Sequence, residues 1–425
     1  MIKFIHCSDI HLGANPYGIE ERFEDMGKAF LQVVRHAIDE KVDFVVIAGD
    51  FFHKKNLNAK TLEQAVDLLE PLKNAGIPVY VTEGNHDMAT YTNVYSWLDF
   101  LSQKGYVYLL KPDVLDDGSI GLTTWHDDIK KGSIIEKEDF FIVGLGYPGA
   151  TASTMVERLS KQIPENTKKP IITLLHSGID KFVTEGMGGL REEELEPVIG
   201  KSDYIALGHI HNRYENKEKK YFNPGSIENV KVESLSRRKE NNDKGFYIVN
   251  IDKLKEIKIE FKIISIRNTF SIEIDLMGYK NNIEDIKNKI LSEIQEKNIC
   301  SDEAIILNIK LIGTLEDKST MLDINDIKND IKSNLNVIYL EILNMLTSNQ
   351  ENVFNVNEAQ NRDEVDKEVI SKLILDEGFG ENDVLKLLPI ILKTKELASE
   401  GQLTIDKQEG IDITSLIEKY IINEA

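Results

Sequence analysis

Five apolar, strand-like runs in this chain each end in residue types that bind metal ions. In order, the endings are Asp9-x-His11, Gly49-Asp50, Gly84-Asn85-His86-Asp87, Leu175-His176 and Gly208-His209-x-His211. A chain that closes five strands in this way is constrained to bring their ends together. The parallel strands of an α/β domain do so, because their carboxyl ends open into one crevice. The collected donors are the imidazoles of His11, His176, His209 and His211, the carboxylates of Asp9 and Asp50, and the carboxamide of Asn85. Imidazole mixed with carboxylate suits Mn, Zn or Fe better than Mg or Ca, which prefer all-oxygen shells. The series reads as a two-metal phosphoesterase site.

The chemistry explains the residue types. Phosphodiester hydrolysis needs an in-line nucleophile and a stabilised leaving oxygen, and two ions roughly 3.5–4 Å apart serve both needs. Such ions share a ligand, and Asp50, at the tip of a buried strand, is the natural bridge. Residues two apart in an extended chain share a side, so Asp9 and His11 are expected to point the same way. His209 and His211 are expected to do likewise, unless a local turn sends them to different ions. His86 and His53 are left over. Beside the metals, His86 suits transition-state stabilisation or protonation of the leaving oxygen. Asp87 reads either as an acceptor that orients His86 or as a turn aspartate. His53 reads as a contact to the scissile phosphate, against a helix-cap or surface role. Six of the 9 histidines fall in these motifs. The other three read as structural: His6 in a strand or the core, His36 on a helix face, His126 in a loop near Trp125.

The first 250 residues alternate strand-like and helix-like runs. Ile2–His6, Phe44–Ala48, Val79–Thr82, Phe141–Leu145, Ile171–Leu175 and Tyr204–Leu207 read as buried strands. Arg22–Glu40 and Ala59–Ala75 read as amphipathic helices, the latter closed by Gly76-Ile77-Pro78. Asn223-Pro224-Gly225-Ser226 reads as a turn, and Lys244–Ile251 and Ile257–Ser265 as late strands. A second unit of β-α-β-α-β pattern follows, with strands at Phe270–Met277, Ala304–Leu311 and Val337–Ile342 and helices around Ile283–Ile294 and Ile324–Ser333. A polar linker, Ser348–Asp363, then leads to two amphipathic helices carrying Val365, Val369 and Leu373, and Val384, Leu388, Ile391 and Leu392. The expected division is 1–265, 266–347 and 348–425.

Composition excludes several classes. The apolar runs are too short to span a bilayer. The chain opens on a strand without a signal-like segment, so a cytoplasmic location with no membrane is expected. Only Cys7 and Cys300 are present, which excludes a disulfide framework. No GxxxxGK loop occurs, so the chain itself is not read as an ATPase. The net charge of -21 argues against electrostatic coating of nucleic acid. About half of that charge lies beyond Glu341, however, and bound divalent cations would add positive potential at the site itself. Arg237-Arg238-Lys239 with Lys217, Lys219 and Lys220 could grip phosphates, but a solvated loop is the better reading.

Ser-Asp-Ile-His-Leu-Gly (8–13), Gly-Asp-Phe-Phe-His (49–53), Gly-Asn-His-Asp (84–87), Leu-Leu-His-Ser-Gly (174–178), Gly-His-Ile-His (208–211) and Asn-Pro-Gly-Ser (223–226) form an ordered series. It resembles the calcineurin-like metallophosphoesterases, and within them the SbcD/Mre branch, the nuclease subunit of a double-strand-break repair complex. The resemblance covers about residues 1–250. It implies a four-layer α/β sandwich flanked by helices, a small α/β capping domain that binds DNA, and a C-terminal helical tail. It also implies one ion held by Asp9, His11, Asp50 and His211, and another held by Asp50, Asn85, His176 and His209. His86 would be the catalytic histidine and His53 would position the phosphate. Mn would be the usual metal. The tail would dock on an ABC-type, SMC-like ATPase with a long coiled coil, and the protein would form a homodimer. The function read from all this is a Mn-dependent DNA exonuclease or endonuclease. A small-substrate phosphodiesterase or phosphatase and a DNA-end-tethering subunit are the alternatives.

Overall fold

The structure, a computed structural model, describes residues 1–89, 95–114, 120–165, 167–183, 189–230, 243–277, 283–297, 299, 303–315 and 322–348, with shorter runs between 366 and 412. Arg237-Arg238-Lys239, Cys300, Val365 and nearly all of the polar linker lie outside the described residues.

Among the described residues, fourteen strands and five α-helices make up the first part of the chain. They are β1 (Ile2–Cys7), α1 (Glu20–Asp39), β2 (Phe44–Ile47), α2 (Ala59–Asn74), β3 (Val79–Val81), α3 (Trp97–Gln103), β4 (Tyr108–Leu109), β5 (Asp113–Val114), β6 (Ile120–Gly121), β7 (Ile134–Glu136), β8 (Phe141–Gly146), α4 (Ala152–Ser160), β9 (Ile171–Leu175), α5 (Glu192–Ile199), β10 (Tyr204–Leu207), β11 (Tyr214–Asn216), β12 (Tyr221–Asn223), β13 (Gly245–Ile251) and β14 (Ile257–Ile263). One sheet has the order β14-β13-β1-β2-β3-β4 and the other β11-β12-β10-β9-β8-β7. In the first, β1 to β4 run parallel. In the second, β8, β9, β10 and β12 do. Antiparallel strands occupy the margins of both sheets.

Strand residues alternate between two cores. Ile5, Cys7, Val45, Ile47, Val79 and Val81 face outward against Phe30 and Val33 of α1 and Leu69 of α2. Phe4, Phe44, Val46 and Tyr80 face inward and meet Ile172, Leu174, Tyr204, Ala206 and Phe222 of the second sheet. The outer face of that sheet, with Val143, Ile171, Ile205 and Leu207, packs on α4 and α5 through Val156, Leu159, Leu195 and Val198. Both faces of the central strands are covered, so they read as continuous apolar runs instead of alternating ones. The result is the four-layer sandwich that the resemblance implied.

His6 pins the two sheets together. Its Nε2 donates to the Leu207 carbonyl at 3.1 Å, which leaves Nδ1 to accept from the Tyr204 hydroxyl at 2.9 Å. Burial pushes this imidazole down to about 3, against the pull of the Leu207 carbonyl.

After β14, three parallel strands, Thr269–Asp275, Ile305–Ile312 and Val337–Asn344, form a sheet flanked by helices Ile283–Glu296 and Ile324–Asn334. Arg267 leads into it. Its guanidinium binds both oxygens of Asp25 on α1, at 2.6 and 2.8 Å, and also donates to the Ala304 carbonyl. Arg22, fully buried, completes the cluster by pairing with Asp25 and Glu228. Tyr17 stacks on Tyr339 with ring centroids 3.7 Å apart. By backbone contacts the chain divides into two units, Met1–Thr314 with Thr320–Thr347, and Leu315–Ser319 with Ser348–Ala425. The second contains the helix Glu381–Ser399, which carries Val384, Leu388, Ile391 and Leu392. Among the described residues, no helix is long and apolar enough to cross a membrane.

His6 yields the first prediction. It is neutral when folded and titrates near 6.5 when unfolded, so its stabilising contribution is complete above about pH 6.5 and is lost as pH falls toward about 3. Urea denaturation should show stability falling more steeply over that window for the wild type than for His6→Gln. Tyr204→Phe, which orphans the buried Nδ1, should cost about 1–3 kcal/mol at pH 7.

Candidate metal centre

Every motif singled out in the sequence lies just beyond the carboxyl end of a parallel strand. Asp9 and His11 follow β1, Asp50 and His53 follow β2, and Asn85, His86 and Asp87 follow β3. His176 follows β9, and His209 and His211 follow β10. The strand tips of the two sheets meet there.

The backbone reaches this arrangement at a cost. Asp9 (φ 51), His11 (φ 53), Asp50 (φ 50) and His209 (φ 83) all adopt left-handed conformations. Each such non-glycine residue costs roughly 1–2 kcal/mol. Asp9 and His11 do meet in one group, as expected, but not through extended geometry. Both residues sit in tight turns and reach the centre through them. A ladder braces the two loops: Asp9 N–H donates to the Gly49 carbonyl (3.1 Å), His11 N–H to Asp50 (3.0 Å) and Leu12 N–H to Phe51 (2.9 Å). The Asp9 carboxylate accepts the backbone N–H of His209 at 3.0 and 3.1 Å, tying β1 to β10. Gly84 permits close approach of the third loop, since a Cβ there would lie 2.1 Å from Asp50 Oδ1 and 2.3 Å from Asp50 N.

The side chains converge in overlapping groups: Asp9 with His11 and His211, Asp50 with His176 and His209, and His11 with His53 and His86. Within each group the ligand atoms lie within 4.8 Å of one another. Asp50 stands between the first two, with Oδ2 3.3 Å from His176 Nε2 and 3.8 Å from His11 Nε2. Asn85 Oδ1 lies 3.3 Å from His176 Nε2 and 3.1 Å from His209 Nδ1. His11 Nε2 and His211 Nε2 face each other at 3.1 Å. His209 and His211 therefore fall in different groups, as a local turn allows.

Second contacts fix the rings. His176 Nδ1 donates to the Ala48 carbonyl at 2.7 Å, so its Nε2 is the nitrogen left facing Asp50 and Asn85. His86 Nδ1 donates to the His53 carbonyl at 2.7 Å. Asp87 does not hold that ring. Its buried carboxylate accepts the backbone N–H groups of Phe51, Phe52 and Gly84 at 3.1, 2.8 and 2.9 Å. It is the turn aspartate, clamping the second motif to the third, and not the acceptor that orients His86. The Asn-Pro-Gly-Ser turn has a comparable task. Asn223 Nδ2 donates to the carbonyls of Ile210 and Asn212 at 2.7 and 2.9 Å, which holds the His209–His211 loop. Lys244, buried and unremarked in the sequence, donates to the His211 carbonyl at 2.9 Å. Tyr147 was also missed. Its ring centroid lies 5.4 Å from that of His209 and 6.1 Å from that of His176.

The electrostatics fit a cation pair. Burial pushes the Asp9 carboxyl up to about 6, with His176 pulling it down and Asp50 pushing it up. Burial raises Asp50, but His176, His11 and His86 together outweigh it and hold the carboxyl well below the usual carboxylate range. His176 is lowered by burial and raised by Asp50 and Asp9, ending at about 9. Burial, then His176, brings His209 to about 4, and burial, then Lys244, brings His211 to about 3. A proton on His176 thus balances buried carboxylate charge that divalent ions would balance instead. Burial likewise lowers His11, so His11, His209 and His211 are neutral, as ligands must be. The donor set, its burial and its convergence all suit two divalent ions.

Residues 2–213 match the calcineurin-like phosphoesterase family, to which this domain belongs. Among curated relatives, the DNA double-strand break repair protein Mre11 of Archaeoglobus fulgidus is 28% identical over 302 residues, which cover 68% of this chain and 64% of that protein. The Mre11 protein of Aeropyrum pernix is 30% identical over 252 residues, covering 56% of each. That of Saccharolobus solfataricus is 26% identical over 428 residues, covering 97% of this chain and 100% of that protein. The chain thus spans less than two thirds of the first two relatives and the whole of the third. The resemblance to the SbcD/Mre branch read from the motifs is borne out.

Two outcomes follow for metal binding. Gly84→Ala should displace Asp50 and weaken Mn binding at least tenfold by titration calorimetry, with the far-ultraviolet spectrum unchanged. Cations compete with protons on Asp9 (about 6) and His176 (about 9), so Mn affinity should rise with pH between those values, with proton release on binding. An affinity flat over that range would contradict the protonation states given.

Proposed function

We propose that this chain is a divalent-metal-dependent DNA nuclease that hydrolyses phosphodiester bonds with two ions, Mn by preference. In this reading it is an exonuclease or endonuclease of DNA repair or end processing. It acts as a homodimer with an ABC-type ATPase partner. The convergence of two buried carboxylates, a carboxamide and four imidazoles on the strand tips carries the proposal. The description of the relatives as DNA double-strand break repair proteins supports DNA as the substrate.

Asp9, His11, Asp50 and His211 would hold one ion, and Asp50, Asn85, His176 and His209 the other. When bound, such ions supply Lewis acidity, neutralising phosphate charge and lowering the pKa of a water. The chain's own residues do the rest. Asn85 contributes an uncharged oxygen, which limits repulsion of an anionic substrate. His86 commits Nδ1–H to the His53 carbonyl, so Nε2 is the nitrogen free to meet the leaving oxygen. It transfers a proton there only as the imidazolium, whose charge also favours the transition state. The His53 ring lies nearly parallel to that of His86, 5.4 Å away, and offers a second contact to the phosphate. Asp87 keeps both histidine loops in place through the backbone.

The test uses end-labelled duplex and single-stranded DNA with Mn, with and without a co-purifying ATPase. Asp50→Ala should abolish cleavage and lose metal. His86→Ala should lose roughly 10²–10⁴-fold in rate while keeping its metal. A His86→Ala protein as active as the wild type would refute the role given to His86. A wild-type protein that hydrolyses bis-(p-nitrophenyl) phosphate but leaves DNA intact would refute the nuclease reading.

A further inference from the structure

The parallel strand beside β9, β8, brings no metal-ligating residue to the centre. At its tip it brings Tyr147. The pairing of β8 with β9 slips there: Gly144 pairs with Leu174 and Gly146 with Leu175, which leaves Leu145 as a bulge. Bulges of this kind re-aim the residue that follows. Gly146 takes φ 85, a conformation suited to glycine, and its carbonyl accepts the backbone N–H of His176 at 3.2 Å. Bulge and glycine together swing Tyr147 off the strand and onto the metal centre.

The ring rests against His209, 5.4 Å between centroids, and His176, 6.1 Å. Both belong to the Asp50 group. The residue is half-buried, so part of it faces solvent. Its hydroxyl has no hydrogen-bond partner among the described residues, unlike Tyr204 or Tyr221, whose hydroxyls are engaged. The clustered side chains are carboxylates, a carboxamide and imidazoles. A phenol O–H beside this cluster can donate a hydrogen bond to an anion held there.

We infer that Tyr147 is a substrate-binding residue of the metal centre, its hydroxyl donating a hydrogen bond to the phosphate group held there. The inference rests on the proposed phosphoesterase reading of the site. The ring walls the Asp50–His176–His209 side of the centre, and the hydroxyl selects for a phosphoryl oxygen.

The experiment compares the full-length wild type, Tyr147→Phe and Tyr147→Ala, each loaded with Mn. Binding of inorganic phosphate is measured by calorimetry, and hydrolysis with both bis-(p-nitrophenyl) phosphate and a DNA oligonucleotide. Tyr147→Phe keeps the ring and its packing. It should bind phosphate about tenfold more weakly and raise KM about tenfold on both substrates, with kcat within about twofold and metal stoichiometry unchanged. Tyr147→Ala should show at least the same loss. If Tyr147→Phe matches the wild type in phosphate binding, the inference is overturned, and the ring is only packing. A loss on DNA but not on the small diester overturns the assignment to phosphate. Weaker phosphate binding by Tyr147→Phe than by a wild type that hydrolyses neither substrate would leave the inference standing and remove the enzyme reading instead.

Discussion

Asp9 and Asp50 are buried at the tips of neighbouring parallel strands, and buried charge must be balanced. Most of the centre's arrangement follows from that need. The balance comes from a proton on His176, which is hydrogen-bonded to Asp50 and attracted by Asp9. His11, His209 and His211, desolvated and crowded, stay neutral and keep lone pairs for ligation. A pair of divalent ions would balance the same carboxylates more completely. The centre is thus set up for cations before they arrive, and protonation is its alternative state.

Holding this state requires strained backbone. Asp9, His11, Asp50 and His209 all lie in the left-handed region, where side chains bearing a Cβ are disfavoured. The strain is tolerated because the loops brace one another. Asp87 clamps the second loop to the third, Asp9 accepts the backbone of His209, and Asn223 holds the carbonyls around His211. Behind these loops the two sheets are joined through an aromatic layer of Phe4, Phe44, Tyr204 and Phe222, and through His6. The same logic extends beyond β14. Arg267, Asp25, Arg22 and Glu228 form a buried ionic cluster that anchors the three-stranded parallel sheet to α1. Removing one member would leave the others buried and unpaired, which makes the cluster specific as well as costly to break.

Much of the site was legible because ligand chemistry is local. A strand followed by Asp-x-His or Gly-Asn-His-Asp names its donors without help from the rest of the chain. The alternating strands and helices of residues 2–82 were legible for the same reason, being apolar or amphipathic runs bounded by turn residues. Orientation was not legible. Extended geometry put Asp9 and His11 on one side, whereas both sit in left-handed turns set by neighbouring loops. Asp87 adjoins His86 in sequence, yet its carboxylate turns to the backbone of a different loop. Tyr147 carried no signal beyond a glycine-rich stretch after a strand. Arg22 sat in an amphipathic helix pattern, and its partner Glu228 lies 206 residues away. Short elements such as β4, β7, β11 and β12 were missed because two or three residues show no periodicity. They are held by pairing with longer neighbours.

Anomalous scattering from crystals soaked in manganese is the most direct measurement of the central claim. Two peaks should appear, one among Asp9, His11, Asp50 and His211, the other among Asp50, Asn85, His176 and His209, with the Asp50 carboxylate between them. An empty cluster, or manganese bound only elsewhere on the molecule, would contradict the account.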